Sequence, residues 1–107
     1  MSNVARMEIP NRMRSVNVRM SIDDMPIVAT MDYLINDNGI LPVAVWVKTK
    51  KSESTLDREL RSSGKAVSLL LQYGCSLKEI SETFTRDSII GSVVWYLFKN
   101  TEDILQG

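Results

Sequence analysis

Apolar residues recur at every second position between Ser15 and Val47, and at every third or fourth position from Leu56 onward. A chain whose period changes once, in that order, forms a sheet first and helices after it. In the first segment Val16, Val18, Met20 and Ile22 face one way, with Ser15, Asn17, Arg19 and Ser21 opposite. Asp23-Asp24 then makes a turn and Pro26 resets the chain. Ile27, Ala29, Met31, Tyr33 and Ile35 make one face of a second strand; Val28, Thr30, Asp32 and Leu34 make a more mixed face. Asn36-Asp37-Asn38-Gly39 reads as a turn, because Asn and Gly tolerate positive φ. A third strand, Ile40 to Val47, turns Leu41, Val43, Val45 and Val47 one way and Ala44 and Trp46 the other. Pro42, without an N–H, marks its start or an edge. The spacing predicts a three-stranded antiparallel meander over about residues 15–48.

The helical part opens at Ser54 or Thr55, either of which can cap, with Asp57 and Glu59 in the first turn, where acids suit the helix dipole. Leu56, Leu60, Gly64, Val67 and Leu71 form one stripe. Ala66, Leu69 and Leu70 widen it, so the second half is expected to be buried nearly all round. Gly64 costs about 1 kcal/mol of helix propensity relative to alanine, and implies a close approach to a strand or another helix. Gly74 ends the helix. Ser76-Leu77-Lys78-Glu79 matches a capping box and starts a short helix over residues 77–83 that buries Leu77 and Ile80. Asp87 or Ser88 caps a last helix through about Lys99, with Ile89, Ile90, Val93, Val94, Leu97 and Phe98 inward. The expected fold class is α+β: the meander followed by three helices packed on one sheet face. Residues 1–14 read as an N-terminal arm, 15–99 as a single domain and 100–107 as a frayed tail.

A chain of 107 residues makes one domain, and its formal net charge of zero points the whole-chain field at neither nucleic acid nor membrane. It has one cysteine, Cys75, and no histidine. That excludes an intramolecular disulfide, a Cys/His zinc site within one chain, a Ser–His–Asp triad, a Cys–His dyad and any histidine acid/base step. The longest apolar run, near residues 89–98, is interrupted by Gly91 and Ser92 and falls short of a membrane span. The opening MSNVARMEIP has no signal-peptide core. The reading is a soluble, cytoplasmic protein with no enzymatic activity, no cofactor and no metal. Asp23, Asp24 and Asp37 are accounted for by turn chemistry, and Cys75 by a small buried thiol.

Local charge is less even. Lys48, Lys50 and Lys51 stand with Ser52, Ser54 and Thr55 directly before a helix, whose first N–H groups and partial positive charge favour an anion. These residues read either as a phosphate or nucleotide site or as a solvated basic turn before a capped helix. The glycines of a Walker A loop are missing. Arg6, Arg12, Arg14 and Arg19 join the lysines on one basic face if the arm packs on the sheet, and otherwise scatter over the surface. Arg86 is a further anion ligand or the partner of Asp87 or Glu82. Trp46, Trp95, Tyr96 and Tyr73 are available to stack on a base, or to pack in a core or subunit interface. With helices on one sheet face, the other exposes Val28, Ala44 and Trp46, a patch suited to a homodimer.

Ser68–Gly74 (SLLLQYG), the Ser76–Glu79 cap, Glu82–Arg86 (ETFTR) and Ser92–Phe98 (SVVWYLF) together resemble the C-terminal tail of cobalamin-dependent (class II) ribonucleotide reductases and the related stand-alone TSCPD-type domains. Ile9-Pro10-Asn11-Arg12 is similar to the opening of that tail, Lys50-Lys51 to its basic pair and Gly64-Lys65 to a small–basic step, so the likeness spans about residues 9–98. The family's cysteine set is absent, as is the barrel that carries reductase chemistry, and the segment after TFTR is shorter. The resemblance implies the fold and a nucleotide-metabolism setting, and no reductase activity. The function expected is a small binding protein that holds a nucleotide or other phosphate-bearing ligand through the lysine cluster, Arg12 and Arg86. A phage-type protein sequestering a nucleotide signal is one form of it. The alternatives are a protein–protein assembly module without a small-molecule ligand, and a single-stranded nucleic-acid-binding accessory protein.

Overall fold

The computed structural model describes residues 13–37, 39–50, 54–85 and 87–106. The elements run β1 (Arg14–Ile22), β2 (Met25–Asn36), β3 (Gly39–Thr49), α1 (Thr55–Gln72), α2 (Leu77–Thr83) and α3 (Ile89–Gln106). The strands form one antiparallel sheet in the order β1-β2-β3, followed by the three helices, which is the α+β arrangement the periodicity implies. Asp23 and Asp24 both take positive φ, 51° and 63°, the pair of values that a two-residue type I′ hairpin needs. The second hairpin closes between Asn36 and Gly39.

Two rows of alternating side chains become two faces. Val18, Ile27, Ala29, Met31, Val45 and Val47 join Leu60, Val67, Leu71, Ile80, Val93 and Leu97 in one core. α1 packs against β3, α3 against β1, and α2 rests on α3. A register shift between Asp32 and Tyr33 inserts Val43 as an extra residue in β3, so that Asp32 faces Ala44 while Tyr33 faces Pro42.

α1 departs from the expectation of burial nearly all round. Leu69 and Leu70 are exposed, and the buried positions beside Val67 and Leu71 belong to Ser68 and Gln72. The reason is that α1 lies along the outer edge of β3 as well as over the core. Thr49 N–H donates to Asp57 Oδ1 at 2.9 Å. Val45 N–H donates to Ser68 Oγ at 2.9 Å, and Ser68 Oγ lies 2.9 Å from Val45 O. Gln72 Nε2 donates to Val43 O at 3.1 Å. Backbone groups on a strand edge must be paired when covered, and these three helix side chains pair them. Gly64 sits between them, where a Cβ would come 3.0 Å from Val45 O. The close approach expected at this glycine is to a strand.

α3 continues past Lys99 to Gln106, where a frayed tail was expected for residues 100–107. Ile104 packs against the core, and Asn100 and Thr101 bond back to the carbonyls of Tyr96 and Leu97. Ser88 is the residue that caps this helix, accepting from Gly91 N–H at 3.0 Å. Among the described residues no helix is long and apolar enough to cross a membrane.

Candidate functional site

The basic turn before α1 is built as a latch between β3 and α1. Ser54 is the N-cap and accepts from Asp57 N–H at 3.1 Å. Asp57 is fully buried at 0% exposure, accepts from Thr49, and its Oδ2 stands 3.0 Å from Arg61 Nε. The first turn of α1 therefore carries its own cap and its own carboxylate, which meets part of the demand an external anion would meet. Lys48, Lys50 and Thr55 are exposed. Lys48 is in register with Val28, which pairs with Arg19, so one rung of the uncovered sheet face carries two cations. Arg14 has the opposite parity, opposite Tyr33, and does not join them. Lys51, Ser52, Arg6, Arg12 and Arg86 lie outside the described residues.

The uncovered face is more polar than an apolar docking patch. Ser15 Oγ and Trp46 Nε1 both donate to the Asp32 carboxylate, the indole at 2.9 Å. Thr30 Oγ1 donates to Asn17 Oδ1 at 2.6 Å. Trp46 is 44% exposed, but Ala44 is only 2% exposed, which corrects the expectation that Val28, Ala44 and Trp46 are exposed together. Trp46 stands opposite Thr30, yet its ring is drawn along the face to Asp32, the cross-strand neighbour of Ala44. Ala44 is buried and Val28 is half-buried.

A different place gathers the features of a small-molecule site. A cleft of about 750 Å³ opens between the β2–β3 hairpin, the end of α1, the start of α2 and the second half of α3. Its apolar walls include Ile40, Leu41, Pro42, Leu71, Leu77 and Phe98. Lys78, Lys99, Ser76, Thr101 and Asp103 supply the polar lining, and the free thiol of Cys75 borders it. Lys78 and Lys99 also line an adjoining hollow of about 450 Å³ beside Phe84 and Trp95. Lys99 Nζ lies 5.4 Å from the Phe98 ring centroid and 5.8 Å from that of Trp95, within cation–π range. Among the described residues, Lys78 and Lys99 share the cleft lining with Asp103, and Glu82 joins them in the adjoining hollow.

The sequence reading passed over Lys78 and Lys99. They are separated by twenty-one positions and belong to different helices, and Lys78 sits inside a capping box that already accounts for its surroundings. Thr101 and Asp103 lie in the segment read as a tail. Among the described residues no group of three or more Cys, Asp and Glu side chains gathers to hold a metal ion. No protein-family model, no curated protein and no solved structure matches the chain.

Proposed function

We propose that the protein is a non-enzymatic binding module that holds a nucleotide or another phosphate-bearing small molecule in the cleft bounded by the β2–β3 hairpin, α1 and α3. One observation carries the reading: apolar walls of the size that takes a small ligand, roughly 300–1,000 Å³, meet two lysines on the same lining. The apolar walls suit a base or similar flat group, and the ammonium groups suit the phosphate. The resemblance of about residues 9–98 to the reductase tail supports the same ligand class. Sequestration, in which the ligand is held and returned unchanged, fits a site that offers charge and shape in a chain without histidine.

Thermal denaturation against a panel of ribonucleotides, cyclic nucleotides and inorganic phosphate tests this. A true ligand at one hundred times its dissociation constant adds about 2.7 kcal/mol of stability. The Lys78→Ala/Lys99→Ala variant should lose that shift, and Lys48→Ala/Lys50→Ala should keep it. Recovered ligand should be chemically intact. If no member of the panel shifts the transition, or only the second variant loses the shift, the cleft is not the site.

A further inference from the structure

We propose that the outer edge of β1 is a pairing edge for β1 of a second copy of this chain, joining two three-stranded sheets into one six-stranded antiparallel sheet. The proposal is independent of the cleft. It starts from an asymmetry between the two edges of the sheet. The β3 edge is sealed by Asp57, Ser68 and Gln72. Because Val45 turns its N–H and C=O outward to Ser68, the alternation of an antiparallel ladder fixes the direction of every other residue. Ala44, Trp46 and Lys48 bond to β2 at Asp32, Thr30 and Val28; the intervening β2 residues bond to Val18, Val16 and Met20 of β1. Ser15, Asn17, Arg19 and Ser21 are left with backbone N–H and C=O directed away from the sheet. Among the described residues no backbone group outside the sheet bonds to them.

β1 has nine residues, contains no proline and pairs with β2 without a bulge. Sheets ordinarily protect such an edge with one of those devices, with charged side chains, here Arg14 and Arg19, or by covering it. The pattern of β1 says what covers this one. Antiparallel pairing about Val18 sets Ser15 against Ser21, Asn17 against Arg19, Val16 against Met20 and Val18 against itself. Val16, Val18 and Met20 meet apolar residues on the core face, polar meet polar on the other, and all nine residues find a partner, with Arg14 opposite Ile22 at each end. Moving the register by two residues one way sets Arg19 against Arg19, a like-charge pair. Moving it the other way shortens the ladder. A formal charge of zero on each chain leaves no net repulsion between copies.

A second feature lies along the same edge. Met20 and Ile22 of β1 and Trp95 and Tyr96 of α3 line a hollow of about 450 Å³, and Tyr96 is 38% exposed. A twofold axis perpendicular to the sheet at Val18 keeps both α3 helices on one side and sets each hollow beside Val16 and Arg14 of the second copy, at opposite ends of the ladder. Met20 of each copy then meets Val16 of the other beside the backbone ladder.

Sedimentation equilibrium across a wide concentration range tests the proposal, with amide hydrogen exchange as a second readout. The expected particle has twice the 12.1 kDa chain mass. The amides of Ser15, Asn17, Arg19 and Ser21 should be protected in it and should exchange freely on dilution to monomer. Arg19→Pro removes an outward N–H and should raise the dissociation constant at least tenfold while keeping the wild-type circular dichroism spectrum. Trp46→Ala should leave the dissociation constant unchanged. A chain that is monomeric at all concentrations overturns the proposal, as does a dimer whose four amides exchange freely. Should Arg19→Pro fail to fold, exchange in the unaltered protein decides between the same two outcomes.

Discussion

Ser68 Oγ lies 2.9 Å from both the amide nitrogen and the carbonyl oxygen of Val45, twenty-three residues earlier in the chain. It also lies 2.8 Å from Gly64 O, within its own helix. The hydroxyl thus accepts from the Val45 N–H and shares its one proton between the carbonyls of Val45 and Gly64, at a position that is 3% exposed. An edge strand covered by a helix would otherwise lose its water without gaining a partner.

Removing that hydroxyl should be costly for its size. Ser68→Ala leaves a buried N–H and C=O without this partner, and the expected loss is about 1–3 kcal/mol. Gln72→Ala, which strips the donor from Val43 O, should cost about 1 kcal/mol. Asp57→Ala should cost about 2–3 kcal/mol, because the Thr49 N–H and the Arg61 pairing go together, though Arg61 itself is half exposed. Ser62→Ala, on the exposed side of α1, should stay within about 0.5 kcal/mol. Urea titrations of the four variants at fixed pH give the comparison. Equal midpoints for Ser68→Ala and Ser62→Ala would show that the edge contacts contribute nothing.

Two glycines should resist replacement for steric reasons. Gly64→Ala gains about 1 kcal/mol of helix propensity, yet its new Cβ meets Val45 O at 3.0 Å and presses α1 off the β3 edge. The net expectation is a loss of about 1–2 kcal/mol. At Gly91 the added Cβ collides with the carbonyl of Thr85 and comes within 2.8 Å of Ser88 Oγ, the cap of α3. Gly91→Ala should therefore lower stability more than Gly64→Ala, by about 2–3 kcal/mol. Thermal unfolding of both variants checks the order, and a Gly91→Ala protein as stable as the parent would contradict it.

The start of α2 should respond to acid. Ser76 N–H donates to Glu79 Oε1 at 3.0 Å, and Glu79 N–H donates to Ser76 Oγ at 3.1 Å. The Ser76 backbone N–H, and after it the Ser76 side chain, hold the Glu79 carboxyl below the ordinary glutamate range. A depressed folded value means that the charge stabilises the fold above the unfolded value of about 4.3 and that this contribution is lost as pH falls through the lower folded value. The stability gap between the parent and Glu79→Gln should accordingly be present at neutral pH and close below about pH 4. Ser76→Ala should cost about 1 kcal/mol at neutral pH. Paired urea titrations at neutral and acid pH measure the gap; a gap that widens in acid would refute the assignment.

Much of this fold is written locally. The alternation of Val16, Val18 and Met20 and of Ile27, Ala29 and Met31 is set by the geometry of a strand, and both hairpin turns carry residues that accept positive φ. Ser54, Ser76 and Glu79 announce helix starts because caps are satisfied within a few residues. Gly64 signals a close approach because nothing else explains a glycine inside an apolar stripe. The candidate site is legible to a lesser degree. Lys48, Lys50 and Ser54 catch the eye as a cluster, but Asp57 looks like an ordinary first-turn acid until Thr49 is seen against it.

By itself, then, the sequence determined the order of sheet and helices, the two hairpins and the caps, since all of these depend on neighbours within about one turn of chain. The tertiary structure alone decided that α1 lies on the edge of β3, which turned Asp57, Ser68 and Gln72 from surface polars into strand partners. It also decided that α3 runs on to Gln106, because Ile104 finds the core. It brought Leu41, Leu71, Lys78 and Lys99 to one cleft. Each of these rests on hydrogen bonds or apolar contacts between residues remote in sequence, and no local period or propensity records which remote neighbour a side chain will meet.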